Sequence, residues 1–318
     1  MRVFVYEFLT ARGLVPDPMY REGRAMRDAV VADFAALAGC EVVTLDGVTE
    51  LDEPAAVADR AATADWSLVI APEIDGILAT RCRWVRSAGG RLLGPDVPAV
   101  ELTSDKLALA AHWRANGVPT PATTDRAPTA CEAFPVVWKP RDGCGSTATY
   151  LLRDRFELAR AVATGDYGGP MILQEYVSGL AASVAVLCGP AGNVTLPPAA
   201  QLLSDDGRFH YIGGELPLRP ELAARATALA EGAVGCVPGL LGYVGVDLIL
   251  GDGRDVAVEI NPRLTTSYVG LRALTADNLA GELIRVAAGG VRRPVRWHDG
   301  PVRFSSDGTV VDPTFKPS

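Results

Sequence analysis

Apolar positions near the start of the chain come in short runs of differing period. Residues 2–6, Arg2-Val3-Phe4-Val5-Tyr6, read as a buried strand. After a polar connection at 17–24, Met26, Val30, Phe34 and Leu37 recur at helical spacing, and Gly39 closes the pattern. Residues 41–45 and 66–73 read as further strands, the latter ending in an acidic loop, and 91–94 as a short fourth. Strands alternating with helical stretches predict a parallel sheet with helices on its faces.

Pro95 and Pro98 mark a boundary. A helix is expected from Thr103-Ser104-Asp105-Lys106 to about Asn116, with Ser104 as N-cap. The stretch 119–129, holding Pro119, Pro121 and Pro128, reads as a link. Strands are expected over 134–139, 147–152, 171–177 and 182–188, and helices over 156–162, 221–234 and 277–288. Residues 291–318 carry arginines, prolines and short β-like pieces without a clear assignment.

A β-rich pair of segments at 242–250 and 256–263 flanks the turn-forming run Gly251-Asp252-Gly253-Arg254-Asp255. A loop centred on Gly253 would set Asp247 opposite Glu259, and Asn261 on the same face as Glu259. Directly opposed carboxylates repel, and a divalent cation between them removes the conflict. Two carboxylates and an amide oxygen are hard ligands that suit magnesium, which fills its shell with substrate phosphates. On the hairpin alone, a solvated strand face with its charges in water accounts for the pattern equally well.

Composition narrows the choices. The 318 residues suffice for two or three domains, and 48% hydrophobic with 21% charged residues is ordinary for a globular protein. A net charge of −8 gives no support for a nucleic-acid partner, yet leaves room for a local basic site that takes an anion. The six cysteines are scattered with no close pair, which speaks against zinc or a disulfide framework and for reduced thiols in the cytoplasm. No run approaches the ~18 apolar residues of a membrane span, and Glu7 interrupts the opening run too early for a signal peptide.

Further segments carry chemistry. Val136-Val137-Trp138-Lys139-Pro140 ends a strand on a lysine, and Arg141-Asp142-Gly143-Cys144-Gly145-Ser146 follows as a flexible loop able to cradle phosphate oxygens. Lys106 lies at a helix N-terminus, where a cation does not serve helix stability. Gln174-Glu175-Tyr176-Val177 ends a strand whose free backbone suits the edge of an adenine. Arg263 follows Glu259 and Asn261 by even steps, and a guanidinium there suits a transferring phosphate or a carboxylate. Taken singly, the lysine loop, Lys106 and the 174–177 strand end are more often an exposed turn, a solvated side chain and a polar strand end respectively. With only His112, His210 and His298, a histidine-centred mechanism is not expected.

The order of these segments, closing on Glu259-Ile260-Asn261-Pro262-Arg263, resembles the ATP-grasp ligases over about residues 1–290. The resemblance implies an α/β ATP-grasp fold. A Rossmann-like parallel-sheet domain at 1–100 would precede two α+β subdomains that clamp ATP, at 101–178 and 179–318. It implies that Lys106 and Lys139 hold phosphates, that the loop with Gly143, Gly145 and Ser146 closes over them, and that Gln174, Glu175, Tyr176 and Val177 frame adenine. Asp247, Glu259 and Asn261 would bind one or two magnesium ions, which manganese can replace, and Arg263 would stabilise the transferred phosphoryl group with Lys139. Leu180-Ala181-Ala182 stand where many members carry an acidic residue for the ribose, so the ribose must be held otherwise.

Tyr6-Glu7-Phe8-Leu9-Thr10, Ile70-Ala71-Pro72-Glu73, Thr103-Ser104-Asp105-Lys106 and Tyr211-Ile212-Gly213-Gly214 are similar to the subgroup containing tyramine–L-glutamate ligase of methanofuran biosynthesis. That resemblance implies amide formation between a carboxylate and an amine through an acylphosphate, with Glu7, Glu73, His210, Tyr211, Gly213 and Gly214 as candidate substrate contacts. The expected partners are small molecules, with no nucleic acid or membrane, and a homodimer is compatible with the family. Two other classes compete. A nicotinamide oxidoreductase would need Gly-x-Gly-x-x-Gly after the first strand, where Glu7 to Gly13 offers one glycine. A non-catalytic nucleotide-binding module would be expected to have lost a metal ligand or a phosphate lysine, and all are present.

Overall fold

Val3 to Tyr6 have no exposed surface, which follows from a strand covered on both faces. In the computed structural model, which describes residues 1–15, 17–126, 131, 133–165, 167–291 and 293–311, strand Arg2–Glu7 is the centre of a parallel sheet. Glu41–Val43 and Trp66–Ile70 pair on either side of it, and Leu92 adds a parallel bridge to Ser67. The alternation of the strand divides its packing: Val3 and Val5 meet Met26, Val30 and Phe34, while Phe4 and Tyr6 meet Val57, Ala61 and Val85.

Several elements depart from expectation. The first long helix spans Tyr20–Ala35 and so begins inside the expected polar connection; Pro18 precedes it, and a proline near a helix start loses no internal hydrogen bond. Pro98 likewise opens the helix Val97–Ser104, where Asp96 accepts from Ala99 N at 2.9 Å. The next helix, Lys106–Ala115, is capped by Asp105 and not by Ser104. Asp105 accepts from Leu107 N at 3.1 Å and Ala108 N at 3.0 Å, while the Ser104 hydroxyl donates back to Val100 O at 2.7 Å.

The middle of the chain forms a four-stranded antiparallel sheet in the order Thr123–Thr124, Met171–Glu175, Val136–Pro140, Tyr150–Leu152. Helix Arg155–Thr164 covers it through Leu158 and Ala161. Part of the expected link at 119–129 lies outside the described residues.

The larger sheet has eight strands. Its path runs Asp255–Asn261, Gly242–Leu250, Leu180–Cys188, Ala199–Leu203, Tyr211–Leu216, Val302–Ser305, Val310–Val311, and Val194–Thr195 pairs to one side. Helix Pro220–Gly235 covers one face together with Lys106–Ala115, whose Trp113 donates its indole N–H to Ala233 O at 3.0 Å. The other face shares a core with the first domain: Ala185, Tyr243, Tyr268, Leu283 and Phe304 join Val3, Val30 and Leu68 in one cluster. Asp33 pins that junction, accepting from Tyr268 Oη at 2.7 Å and Arg272 Nε at 2.6 Å.

Strand Tyr211–Leu216 and helix Ser267–Leu274 were not expected from the pattern. Glycines lower strand propensity, and here they are required by close approach: a Cβ on Gly213 would lie 2.0 Å from Phe304 O. The stretch after residue 291, unassigned above, supplies the strand that makes this approach; 312–318 lie outside the described residues. No described helix is long and apolar enough to cross a membrane. All six cysteines are free thiols.

Candidate active site

The hairpin pairs Asp247 with Glu259 and Gly245 with Asn261. Its register then slips by one residue, Leu248 pairing with Ala257, so that Val258 is a bulge. A bulge re-aims the side chains around it, and Val258 and Glu259 both border the same cavity of about 250 Å³. That cavity lies between the large sheet, the middle sheet and the first domain.

Three neighbouring strands supply the surroundings of Asp247. Ser183 is its cross-strand partner, Gln201 Nε2 donates to Oδ1 at 3.0 Å, and Asn261 Nδ2 donates to Oδ2 at 3.1 Å. Burial and the charge of Glu259 push the Asp247 carboxyl up to about 7, against the hydrogen bonds from Ser183 and Asn261. Glu259 moves the opposite way: burial would raise it, but Lys106 and Lys139 outweigh burial and hold it below the usual carboxylate range.

The lysines come from two other elements. Lys106, at the first position of its helix, sits 3.6 Å from Glu259 Oε2 and donates to Gly143 O at 2.8 Å. Lys139, at the end of its strand, is only 7% exposed. Burial pushes its ammonium down to about 8, and Lys106 adds to this, partly offset by Glu259 and Asp247. Two cations and two anions thus face one another where no element alone would place them. Every donor of the acidic set is an oxygen or can present one, and a hard divalent cation fits it better than a soft one. Among the described residues no cluster of three or more His, Cys, Asp or Glu that could hold a metal exists, here or elsewhere, and this site offers two carboxylates and an amide.

The loop 141–149 roofs the cavity. Gly143 and Gly145 have φ of +131° and +65°, and Ser146 and Ala148 also adopt positive φ, at +57° and +47°. This is why the strand expected from 147 begins only at Tyr150. Contacts from distant segments hold the loop: Asp142 Oδ2 accepts from Asp75 N at 2.9 Å, Asp142 Oδ1 from Tyr167 Oη at 3.3 Å, and Ser146 Oγ donates to Phe209 O at 2.7 Å. Arg141 forms a bidentate pair with Asp105 at 2.9 and 2.6 Å, tying the loop to the cap of the Lys106 helix.

Gln174, Glu175, Tyr176 and Val177 line the far end of the cavity. Gln174 Nε2 donates to Thr123 Oγ1 at 3.0 Å, and the Tyr176 ring stacks near Phe209 with centroids 6.4 Å apart. The Glu175 carboxylate is engaged by Arg254 and by Ala122 N at 3.2 Å. Arg254 lies in the hairpin turn and carried no signal in the sequence. Arg263 is buried against Glu73, with Nε 3.0 Å from Oε1 and Nη2 3.2 Å from Oε2. Burial alone would lower its pKa, but the Glu73 charge prevails and holds it charged.

The other substrate candidates separate. Tyr211 borders the cavity. Glu7 does not: its buried carboxylate caps the short helix Phe8–Ala11, accepting from Leu9 N at 3.1 Å and Thr10 N at 2.8 Å. His210 is exposed outside the lining, and its backbone N–H donates to Ser204 Oγ at 2.9 Å. Gly213 and Gly214 are accounted for by the packing of Phe304. Conversely, Glu22, Ser183, Gln201 and Thr266 border the cavity without having been singled out. Glu22 sat in an ordinary polar stretch, and the others on segments with no chemical pattern.

Residues 103–267 match the ATP-grasp domain family, and 25–100 match a pre-ATP-grasp domain. The chain belongs to the ATP-grasp family. It is 26% identical over 306 residues to tyramine–L-glutamate ligase of Methanocaldococcus jannaschii, covering 90% of this chain and 89% of that protein. With the ligase of the same name from Methanocaldococcus fervens the identity is 31% over 223 residues, covering 70% and 66%. A crystal structure of an ATP-grasp superfamily protein from Archaeoglobus fulgidus is similar at a TM-score of 0.71 and 26% identity, over 95% of this chain and 92% of that one. Family and relatives place the chain among ATP-dependent ligases that form a carbon–nitrogen bond.

Proposed function

We propose that this ligase joins L-glutamate to tyramine or a similar amine, a step of methanofuran-type cofactor biosynthesis, through an acylphosphate. The observation that supports it most is the facing of Lys106 and Lys139 with Asp247 and Glu259 in one cavity, in a chain similar along most of its length to two tyramine–L-glutamate ligases.

A carboxylate oxygen attacks the γ-phosphorus of ATP and ADP leaves. The amine nitrogen then attacks the acyl carbon, and phosphate leaves with the electron pair. Such transfer asks the protein mainly for position and charge. Lys106 and Lys139 hold the phosphates, and the roof loop with Gly143, Gly145 and Ser146 excludes water above them. Arg263, oriented by Glu73, faces the transferred group. Because the Glu175 carboxylate is already engaged, we assign adenine recognition to the backbone from Gln174 to Val177 and to the Tyr176 ring. Asp247, Glu259 and Asn261 would hold magnesium, which when bound neutralises the phosphate oxygens. We retain three units, at 1–100, 101–178 and 179–318; the helix Lys106–Ala115 packs on the sheet of the third while presenting Lys106 to the second.

The test is ADP release with ATP and magnesium, expected only when L-glutamate and tyramine are present together. Turnover with other acid–amine pairs and none with this one reduces the assignment to an ATP-grasp ligase. ATP binding with no ADP release from any pair would instead support a non-catalytic nucleotide-binding module.

A further inference from the structure

Of the carboxylates bordering the cavity, Asp142 and Glu22 form no salt bridge among the described residues and face neither lysine, and both oxygens of Asp142 accept hydrogen bonds, from Asp75 N and Tyr167 Oη. Lys106 and Lys139 face Glu259 and Asp247, and Arg263 is paired with Glu73. Glu22, on the first long helix, borders the cavity as well, and among the described residues it forms no salt bridge. The hydrogen bond its carboxylate accepts comes from the Thr266 hydroxyl, at the N-cap of helix Ser267–Leu274. Tyr211 borders the same cavity, and burial, with the charges of Glu22 and Asp247 added, raises the pKa of its phenol. The helix around Glu22 is pressed close to the sheet: a Cβ on Gly23 would lie 2.4 Å from Glu7 Oε1, which leaves the segment little freedom to swing Glu22 into solvent.

An unpaired carboxylate in such a place is costly, and burial raises its pKa despite the Thr266 hydrogen bond and the Arg263 charge. One carboxylate with two hydroxyls is a poor divalent-metal site. It suits a cation that brings several N–H donors and needs few ligands. We propose that Glu22, with Thr266 and Tyr211 beside it, anchors a primary ammonium group of the substrates. This rests on the ligase reading above and adds the group that the first domain recognises. The ammonium belongs either to the attacking amine, held until it gives up its proton, or to the α-position of the amino acid being activated.

The experiment is ADP release by the wild-type chain over a panel of primary amines crossed with amino acids, tyramine and L-glutamate among them, followed by Glu22→Gln on the active pair. The amide keeps shape and the Thr266 hydrogen bond but removes the charge. The KM of one substrate is expected to rise roughly 10- to 100-fold, with the KM of ATP unchanged and the melting temperature of the ligand-free protein not lowered. The substrate whose KM rises identifies the source of the ammonium. As a binding check, wild-type affinity for tyramine over 4-ethylphenol, or for L-glutamate over glutarate, should collapse in the variant for that substrate only. If Glu22→Gln does not fold, Glu22→Asp is expected to show a smaller rise confined to the same substrate. An active pair whose two KM values are both unmoved overturns the anchor and leaves the ligase reading standing. A panel with no active pair overturns the ligase reading and the anchor with it.

Discussion

The floor and the roof of the cavity are built in opposite ways. The floor residues Asp247, Glu259 and Asn261 come from two adjacent strands joined by a four-residue turn, and the neighbouring strands hold them through Ser183 and Gln201. The roof is a loop with four residues at positive φ, fastened by groups from Asp75, Asp105, Tyr167 and Phe209. Sheet hydrogen bonds make the floor rigid, so fixed charge can be stored there. Apart from the bidentate Arg141–Asp105 pair and the Lys106 contact to Gly143 O, the roof is held by single hydrogen bonds between distant segments, each worth about 1 kcal/mol net, a looser hold than a strand ladder. On the proposed reading, the division keeps the magnesium-holding residues fixed while nucleotide enters and leaves.

That contrast can be broken most directly at the floor. Glu259→Gln is expected to lower ADP release by roughly 10²–10³-fold, with a circular-dichroism spectrum like that of the wild type. Near-normal turnover would make the floor an ordinary strand face. Lys139→Ala should weaken ATP binding about 10- to 100-fold by calorimetry, the scale of a lost charge-assisted contact. An unchanged dissociation constant would remove Lys139 from the phosphate site.

The same lysine gives a pH signature. In the ligand-free protein, burial pushes its ammonium down from the ordinary lysine value of 10.5 to about 8. ATP prefers the charged form, so affinity should fall by up to about tenfold per pH unit above 8, and this slope should vanish in Lys139→Ala. For stability the sign is reversed: between 8 and 10.5 the unfolded chain holds a proton the folded one has lost. The contribution of this group to ligand-free stability therefore rises with pH across that window. The smallest effect belongs to the roof. Asp142→Ala removes the acceptor for Asp75 N and Tyr167 Oη and should raise the KM of ATP only about two- to fivefold, leaving saturated turnover intact. A loss as large as that of Glu259→Gln would show that roof and floor are one rigid unit.

Legibility followed the range of the interactions. Strand Arg2–Glu7, the helix over Met26 to Phe34 and the pairing of Asp247 with Glu259 all follow from period and turn chemistry within a few residues. The bulge at Val258 was not legible, because it depends on how the strand meets its neighbours. Strand Tyr211–Leu216 was hidden by glycines whose reason is a backbone arriving from Val302–Ser305. Glu7 looked like a substrate contact and is a helix cap. Glu22 lay in a stretch that reads as a polar connection and it borders the cavity, since nothing in its own segment records that Thr266, 244 residues away, would donate to it.

The amino-acid sequence by itself determined the family, the alternation of strands and helices in the first domain, and the identity of the lysines, carboxylates and amide that carry charge. Those depend on residue types and local spacing. Tertiary structure decided which charges face one another, that Lys106 and Lys139 meet Glu259 across three elements, that Arg263 is held by Glu73, and that Glu22 forms no salt bridge among the described residues. Burial and charge pairing depend on distance in space, and a chain that returns through eight strands brings together groups whose spacing along it carries no record of the meeting.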